Sequence, residues 1–246
     1  TDLEEANESK IAASIQSIRH QVADLIRGGE EGKIIKEGLK VAIVGEPNVG
    51  KSSLLNAMLN EDKAIVSDIP GTTRDVVEGE INLQGIALHL LDTAGIRENA
   101  EAIEEMGIKR SEKTIQEADV VILVVDAQKG LSVEDQRIQS LAHDKILITV
   151  YNKEDLVKNK EKNVLYISAL KKDIQPLMDK IYSDLGLSDG AFENPSLNNA
   201  RQLGLLRKID SCLGEAEKDC LAHQPIDLVS VNLMAAYNAA REMLGE

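Results

Sequence analysis

Residues 40–53 read K-V-A-I-V-G-E-P-N-V-G-K-S-S, and this stretch decides the fold of the chain. The apolar run at residues 41–44 leads into a loop bounded by Gly45 and Gly50, and a helical pattern begins at Lys51. Glycines at both ends let successive backbone N–H groups converge on an anion at a helix N-terminus. The spacing G-x-x-x-x-G-K-S therefore predicts a phosphate-binding loop, with Lys51 on the β- and γ-phosphates and the Ser52 hydroxyl on magnesium. A glycine-rich turn without a ligand is the alternative.

Around this loop, strand-like runs alternate with amphipathic helices. The predicted strands cover residues 41–44, 76–83, 86–91, 120–125, 146–151 and 164–168, and the predicted helices cover residues 51–59, 102–117, 133–142 and 174–185. Most of these strands are continuously apolar, as strands covered on both faces are, whereas residues 76–83 are more polar and suit an edge strand. The pattern predicts a doubly wound, mostly parallel α/β sheet with ligands at the carboxyl ends of its strands.

Helical periodicity marks both ends of the chain. A helix is predicted over residues 3–27, ended or interrupted by Gly28 and Gly29, with a short helical turn over residues 33–37. Further helices are predicted over residues 198–222 and 226–244. Because neither end buries much apolar surface alone, we expect one all-α helical domain formed by residues 1–37 and 189–246. The α/β domain, residues 38–188, would then be inserted into it; independent helical arms are the alternative.

Composition excludes several classes of function. The net charge of −14 argues against a nonspecific grip on nucleic acid, although a local basic patch stays possible. No apolar run approaches the length of a membrane span and no signal peptide is evident, so we expect a cytoplasmic protein with no membrane contact. Cys212 and Cys220 lack metal-site or redox spacing and are predicted to be buried structural thiols.

Two further motifs follow predicted strands and indicate the nucleotide. Asp92-Thr93-Ala94-Gly95 comes after residues 86–91, where Asp92 can hold magnesium through water and the Gly95 amide can meet a γ-phosphate. N-K-E-D, residues 152–155, follows residues 146–151. The two carboxylate oxygens of Asp155 match the paired N–H donors of guanine, which adenine lacks. A charged surface turn is the alternative for N-K-E-D, but the motifs together predict GTP or GDP as the ligand.

Other stretches complete the predicted site. Ser168-Ala169-Leu170 follows the last strand and is expected to place a backbone amide near the guanine O6. G-T-T-R-D, residues 71–75, supplies Thr73 for magnesium and is expected to order around the γ-phosphate. Ile96 stands where Ras-type switches carry a water-orienting glutamine, so another group must orient the water. The predicted nucleotide-binding set is Asn48, Val49, Gly50, Lys51, Ser52, Ser53, Ser67, Thr72, Thr73, Asp92, Thr93, Ala94, Gly95, Asn152, Lys153, Asp155, Ser168, Ala169 and Leu170.

These motifs resemble the TrmE-Era-Era-like GTPases and, within them, the MnmE family of tRNA-modifying GTPases. The resemblance is carried by G-E-P-N-V-G-K-S-S-L-L-N-A, S-D-I-P-G-T-T-R-D, L-L-D-T-A-G-I-R-E, N-K-E-D and S-A-L, and it covers essentially the whole chain. It implies a P-loop GTPase domain, called the G domain, inserted into a helical domain. It also implies GTP hydrolysis that is stimulated by potassium and by transient homodimerisation through the G domains.

The resemblance assigns further roles to single residues. Asn48 corresponds to an asparagine that ligates potassium, with Ser67, Ile69 and Thr72 as expected co-ligands, and Glu104 to a glutamate that orients or activates water. Alone, Asn48 is also consistent with a turn residue, and Glu104 with an exposed helical carboxylate. The cofactors implied are Mg²⁺ and K⁺.

The resemblance also implies partners, and two alternative functions stay open. Full-length relatives carry an N-terminal folate-binding domain and a C-terminal cysteine motif that this sequence lacks, so we expect a fragment of a longer protein. In that protein the partners would be tRNA and the FAD-dependent protein MnmG. The first rival is a nucleotide-controlled binding module of the ribosome-assembly type, similar to Era or Der. The second is a GTP-binding scaffold with slow turnover.

Overall fold

The structure is a computed structural model, and it describes residues 2–60, 77–91, 112–188, 191 and 200–245. The chain divides into two compact units, Glu37–Leu187 and a unit of Thr1–Lys36 with Ser188–Glu246. In chain order the elements are α1 (Asp2–Glu37), β1 (Leu39–Val44), α2 (Lys51–Leu59), β2 (Val77–Leu83), β3 (Ile86–Leu91), α3 (residues 112–117), β4 (Val120–Asp126), α4 (Val133–Leu141), β5 (Ile146–Asn152), a 3₁₀ turn (Glu154–Leu156), β6 (Leu165–Tyr166), α5 (Gln175–Asp184), α6 (Ala200–Leu221) and α7 (Ile226–Leu244).

The first unit contains a six-stranded sheet in the order β2-β3-β1-β4-β5-β6. Every neighbouring pair is parallel except β2 and β3, which form an antiparallel pair at one edge. The predicted doubly wound, mostly parallel α/β sheet is therefore confirmed, including the polar strand at its edge. All seven residues of β4 are buried, and the first six are apolar, as expected for a central strand.

The strand order places three chain segments side by side. β1, β4 and β5 are consecutive neighbours, and Asp126 at the end of β4 pairs with Asn152 at the end of β5. The loops that leave these strands therefore start at the same edge of the sheet, where parallel α/β folds bind their ligands. α2 follows the first of these loops and buries Leu54, Leu55, Ala57 and Met58.

Local sequence fixes the start of α4. Ser132 is its N-cap: the Ser132 hydroxyl accepts from the Asp135 amide, and the Asp135 carboxylate accepts from the Ser132 amide. This reciprocal capping box satisfies two backbone donors that a helix start leaves without partners.

The second unit is built from α1, α6 and α7, and α7 has the predicted bounds. Its core consists of small and branched apolar side chains from all three helices, including Ile15, Val22, Leu206, Leu213 and Val229. Arg19 lies beside this core and donates to Asp210 at 3.0 Å and to Glu217 at 2.6 Å. Of the cysteines, Cys220 is buried and Cys212 only partly so.

The predicted break at Gly28 and Gly29 is wrong, because α1 continues without interruption to Glu37. Glycine costs about 1 kcal/mol in a helix interior relative to alanine, but tertiary contacts override such a preference. Here Gly29 and Gly32 are buried, and the buried Glu31 carboxylate accepts from the amide and hydroxyl of Ser188. These contacts keep the segment helical.

Two other predicted elements differ from the structure. The strand expected over residues 164–168 is shortened to β6, since Ser168 instead forms a bridge with Asp173 in the following turn. The helix expected over residues 102–117 is described only from residue 112, where it is helical. Among the described residues, no helix is long and apolar enough to cross a membrane.

Candidate guanine-nucleotide site

The loop from Gly45 to Gly50 has the backbone geometry that the sequence predicts. Gly45 has φ +139°, and a Cβ there would lie 2.2 Å from the carbonyl oxygen of Val124 in β4. Gly50 has φ +101°, and a Cβ there would lie 2.2 Å from Nδ2 of Asn152. Any side chain would collide with neighbouring groups at both positions, so these glycines are required by close approach as well as by φ.

Lys51 folds back over this loop. As the first residue of α2, it donates from Nζ to the carbonyl oxygens of Gly45 at 2.8 Å and Glu46 at 2.6 Å. Burial lowers the pKa of the Lys51 ammonium, while the negative charges of Asp135 and Glu46 act in the opposite direction. A phosphate at this loop would supply the counter-charge that two neutral carbonyl groups do not.

The remaining residues of the predicted loop set differ in their exposure. Val49 is buried and anchors the loop, whereas Asn48 is exposed with φ +63°. Ser52 and Ser53 are exposed residues of the first turn of α2. The Ser52 hydroxyl and the Asn48 amide oxygen are oxygen donors of the kind that Mg²⁺ and K⁺ accept.

Asn152 joins this loop to the base-recognition loops. Its side chain is 3% exposed; Nδ2 donates to the Val49 carbonyl at 2.9 Å, and Oδ1 accepts from the Ala169 amide at 3.0 Å. One buried amide therefore holds together segments that are 103 and 17 residues away in sequence. The S-A-L stretch was predicted to place a backbone amide near the guanine O6, and one of its amides, that of Ala169, is bonded to Asn152.

Asn152→Ala tests this bridge. We expect the free energy of unfolding to fall by about 2–4 kcal/mol, because the change leaves a buried amide N–H and a buried carbonyl without partners. Urea denaturation measures the loss. Asn159→Ala, at an exposed position nearby, is the matched control and should change stability by less than about 0.5 kcal/mol. Equal small effects of both substitutions would contradict a bridging role for Asn152.

Asp155 is exposed and held by Ser168. The Ser168 hydroxyl donates to Oδ1 of Asp155 at 2.5 Å and lowers the pKa of this carboxyl, and the charge of Lys171 adds to the effect. Asp155 thus keeps its ionised form, which offers only acceptors. Leu170, the last residue of the S-A-L stretch, has 81% of its surface exposed.

Asp126 belongs to this group of residues, and our sequence analysis missed it. Its carboxylate accepts from Lys153 Nζ at 2.6 Å and from the Gln128 amide at 2.9 Å. Burial raises the pKa of the Asp126 carboxyl, but the hydrogen bonds from Lys153 and Gln128 outweigh burial and leave this pKa below its ordinary value. A polar residue at the end of an apolar strand run, as at Asp92 and Asn152, was the signal that could have found it.

Several predicted site residues lie outside the described part of the chain. They are Ser67, Ile69, Thr72, Thr73, Asp92, Thr93, Ala94, Gly95 and Glu104. The structure thus brings together the phosphate loop, N-K-E-D and S-A-L, and the roles assigned to the other residues stay predictions.

The chain is similar in sequence to known GTPases. Residues 40–153 match a family model described as 50S ribosome-binding GTPase. The tRNA modification GTPase MnmE of Natranaerobius thermophilus is 39% identical and that of Acetivibrio thermocellus is 36% identical. Both matches cover 100% of this chain and 56% of the relative. A solved structure of Aquifex aeolicus Era, bound to GDP·AlF₄⁻, is 28% identical, covers 71% of this chain and 66% of that chain, and has a TM-score of 0.45.

The sheet, the phosphate loop and the match of residues 40–153 define the fold as that of a P-loop GTPase. Over its whole length the chain is homologous to the MnmE tRNA modification GTPases. It spans little more than half the length of these curated relatives.

Proposed function

We propose that this chain is the GTP-hydrolysing part of a tRNA modification enzyme, acting on the wobble uridine together with tRNA and the FAD-dependent partner MnmG. Residues 38–188 would serve as its G domain, inserted into a helical domain of residues 1–37 and 189–246. The observation that carries the proposal is the bridge made by Asn152, because one side chain links the phosphate loop to the loop after β6. Whole-chain homology to proteins named for tRNA modification supports the assignment to that process.

Different described residues would bind the phosphates and the guanine base. Lys51 would leave the carbonyl oxygens of Gly45 and Glu46 and bind the β- and γ-phosphates, where its charge stabilises the charge that develops during hydrolysis. The backbone N–H groups at the start of α2 would bind the remaining phosphate oxygens. Asp155 would accept from the paired donors of guanine while Ser168 holds it in place.

The proposal includes two cations. Ser52 and Thr73, with Asp92 acting through water, would hold Mg²⁺, and Asn48, with the carbonyl groups of Ser67, Ile69 and Thr72, would hold K⁺. When bound, these cations neutralise charge on the phosphates. Glu104 would orient the attacking water once two G domains pair transiently.

Hydrolysis measured against protein concentration tests this proposal. With K⁺ as the only monovalent cation, we expect turnover per molecule to rise with protein concentration, whereas with Na⁺ it should stay low and flat. Glu104→Ala should lower turnover by roughly 10²-fold at saturating GTP and K⁺, the usual range for a group that handles the water proton. Its neighbour Glu105 provides the matched substitution, Glu105→Ala, which should retain turnover. Equal rates in both salts, or full activity of Glu104→Ala, would contradict the proposal.

A second candidate is a ribosome-binding GTPase module, favoured by the description of the matching family model. Whole-chain homology to tRNA modification GTPases weighs against it, as does the net charge of −14. Filter binding against ribosomal RNA and tRNA in the GTP-bound state separates the two. Tight, selective binding of ribosomal RNA would favour the second candidate.

A further inference from the structure

We propose that Asp126 is a positioning residue for base recognition: its ion pair with Lys153 fixes the lysine side chain before the guanine base binds. The inference rests on the proposed guanine-nucleotide function and adds a residue on β4 to the N-K-E-D segment. According to this inference, nucleotide release is slowed because Asp126 holds the Lys153 side chain in place, and not merely because Asp126 stabilises its own turn.

Asp126 is held rigidly. It ends the fully buried strand β4, and its side chain is 8% exposed. Its carbonyl oxygen accepts from the amides of Lys129 and Gly130, and the next amide, Ala127, donates to the carbonyl of Asn152. The carboxylate therefore presents a fixed anchor to any cation within reach.

The Lys153 side chain, in contrast to that of Asp126, is long and partly exposed. Its backbone has φ +67°, a left-handed conformation uncommon for a residue with a side chain, and its side chain keeps 31% exposure. A lysine stem has four rotatable bonds, so an untethered Lys153 would lose side-chain freedom when a base packs against it. The 2.6 Å bond to Asp126 removes that freedom in advance, which favours binding.

The side chains of Asn152 and Asp155 are also held by hydrogen bonds. Asn152 is bonded to Val49 and Ala169, and Asp155 is bonded to Ser168. Each of these three predicted nucleotide-binding side chains is thus fixed by a contact outside the N-K-E-D segment. Lys153 is the longest and most flexible of them, so it gains most from its tether.

The two oxygens of Asp126 allow its roles to be separated. Oδ1 accepts from the Gln128 amide and Oδ2 accepts from Lys153. Asp126→Asn keeps an oxygen for Gln128 but removes the negative charge that holds Lys153. A purely structural turn residue should tolerate this change, whereas a positioning residue should not.

The test is the dissociation rate of fluorescent GDP and of the corresponding IDP derivative, which lacks the exocyclic amino group. For Asp126→Asn we expect both rates to rise about five- to tenfold, the range expected when one long side chain loses preorganisation. The ratio of the two rates should stay unchanged, because Asp155 still reads the base edge. Asp184→Asn is the matched control: it breaks the Lys180–Asp184 ion pair of α5 and should leave both rates unchanged.

A double-substitution cycle makes the test specific. In a Lys153→Ala background, Asp126→Asn should add less than a twofold increase, because no lysine remains to be positioned. Additive effects, or unchanged rates in the single variant, would overturn the inference. Wild-type protein that fails to bind GDP would instead overturn the proposed function and this inference with it.

A measurement on wild-type protein covers the case in which Asp126→Asn does not fold. The Lys153 ammonium, if ion-paired and shielded, should give a slowly exchanging ¹H–¹⁵N signal before nucleotide is added, and that signal should shift on GDP binding. Absence of a protected lysine signal in the nucleotide-free protein would overturn the inference without any variant.

Discussion

Asp155→Asn is expected to weaken GTP binding by roughly 10³-fold and to strengthen binding of xanthosine triphosphate. Guanine presents paired donors at N1 and at its exocyclic amino group, and the introduced amide would set an N–H donor against one of them. Xanthine carries a carbonyl oxygen in place of that amino group, so the amide can pair with it. Sites built on such pairing discriminate strongly, because a mismatch leaves polar groups unpaired.

Competition with a fluorescent guanine nucleotide measures both affinities. Asp173→Asn, an exposed carboxylate in the same group of loops, is the control and should alter neither affinity. If Asp155→Asn bound xanthosine triphosphate no more tightly than the wild type does, the assignment of Asp155 to the base edge would be wrong.

Lys51→Ala is expected to reduce kcat by roughly 10²–10³-fold, the usual consequence of removing one group that stabilises developing charge. Thermal stability of the nucleotide-free protein should change little. The substitution removes two hydrogen bonds to Gly45 and Glu46, but it also removes a charge whose burial lowers the pKa of Lys51.

Single-turnover hydrolysis at saturating GTP and the thermal midpoint of the nucleotide-free protein measure the two quantities separately. Lys113→Ala changes the same residue type at an exposed position of a helix and should leave both unchanged. A turnover within about twofold of the wild type would show that Lys51 does not act on the phosphates.

The α/β part of the fold could be predicted from sequence because its signals are local. Apolar runs indicated the strands, and α2, β3 and α7 have the predicted bounds. The continuation of α1 through Gly28 and Gly29 could not be predicted, since it depends on burial of Gly29 and on the contact between Glu31 and Ser188. Such contacts join residues far apart in sequence, and no local pattern encodes them.

The same distinction applies to the site. Lys51 and Asp155 belong to motifs whose spacing reflects the ligand, so they could be named from sequence. Asp126 belongs to no such motif, and its partner Lys153 comes next to it only through the pairing of β4 with β5. The role of Asn152 as a bridge was likewise hidden, because the residues it contacts lie 103 and 17 positions away.

The bridge made by Asn152 also couples the local opening of two loops. Opening the loop after β6 must break the bond from the Ala169 amide to Asn152, and opening the phosphate loop must break the bond to Val49. In hydrogen exchange, the phosphate loop and the loop after β6 should therefore open together as one cooperative unit. A ligand that contacts only the phosphate loop would then slow amide exchange in the loop after β6. Phosphate binding would therefore protect backbone amides that the phosphates do not contact.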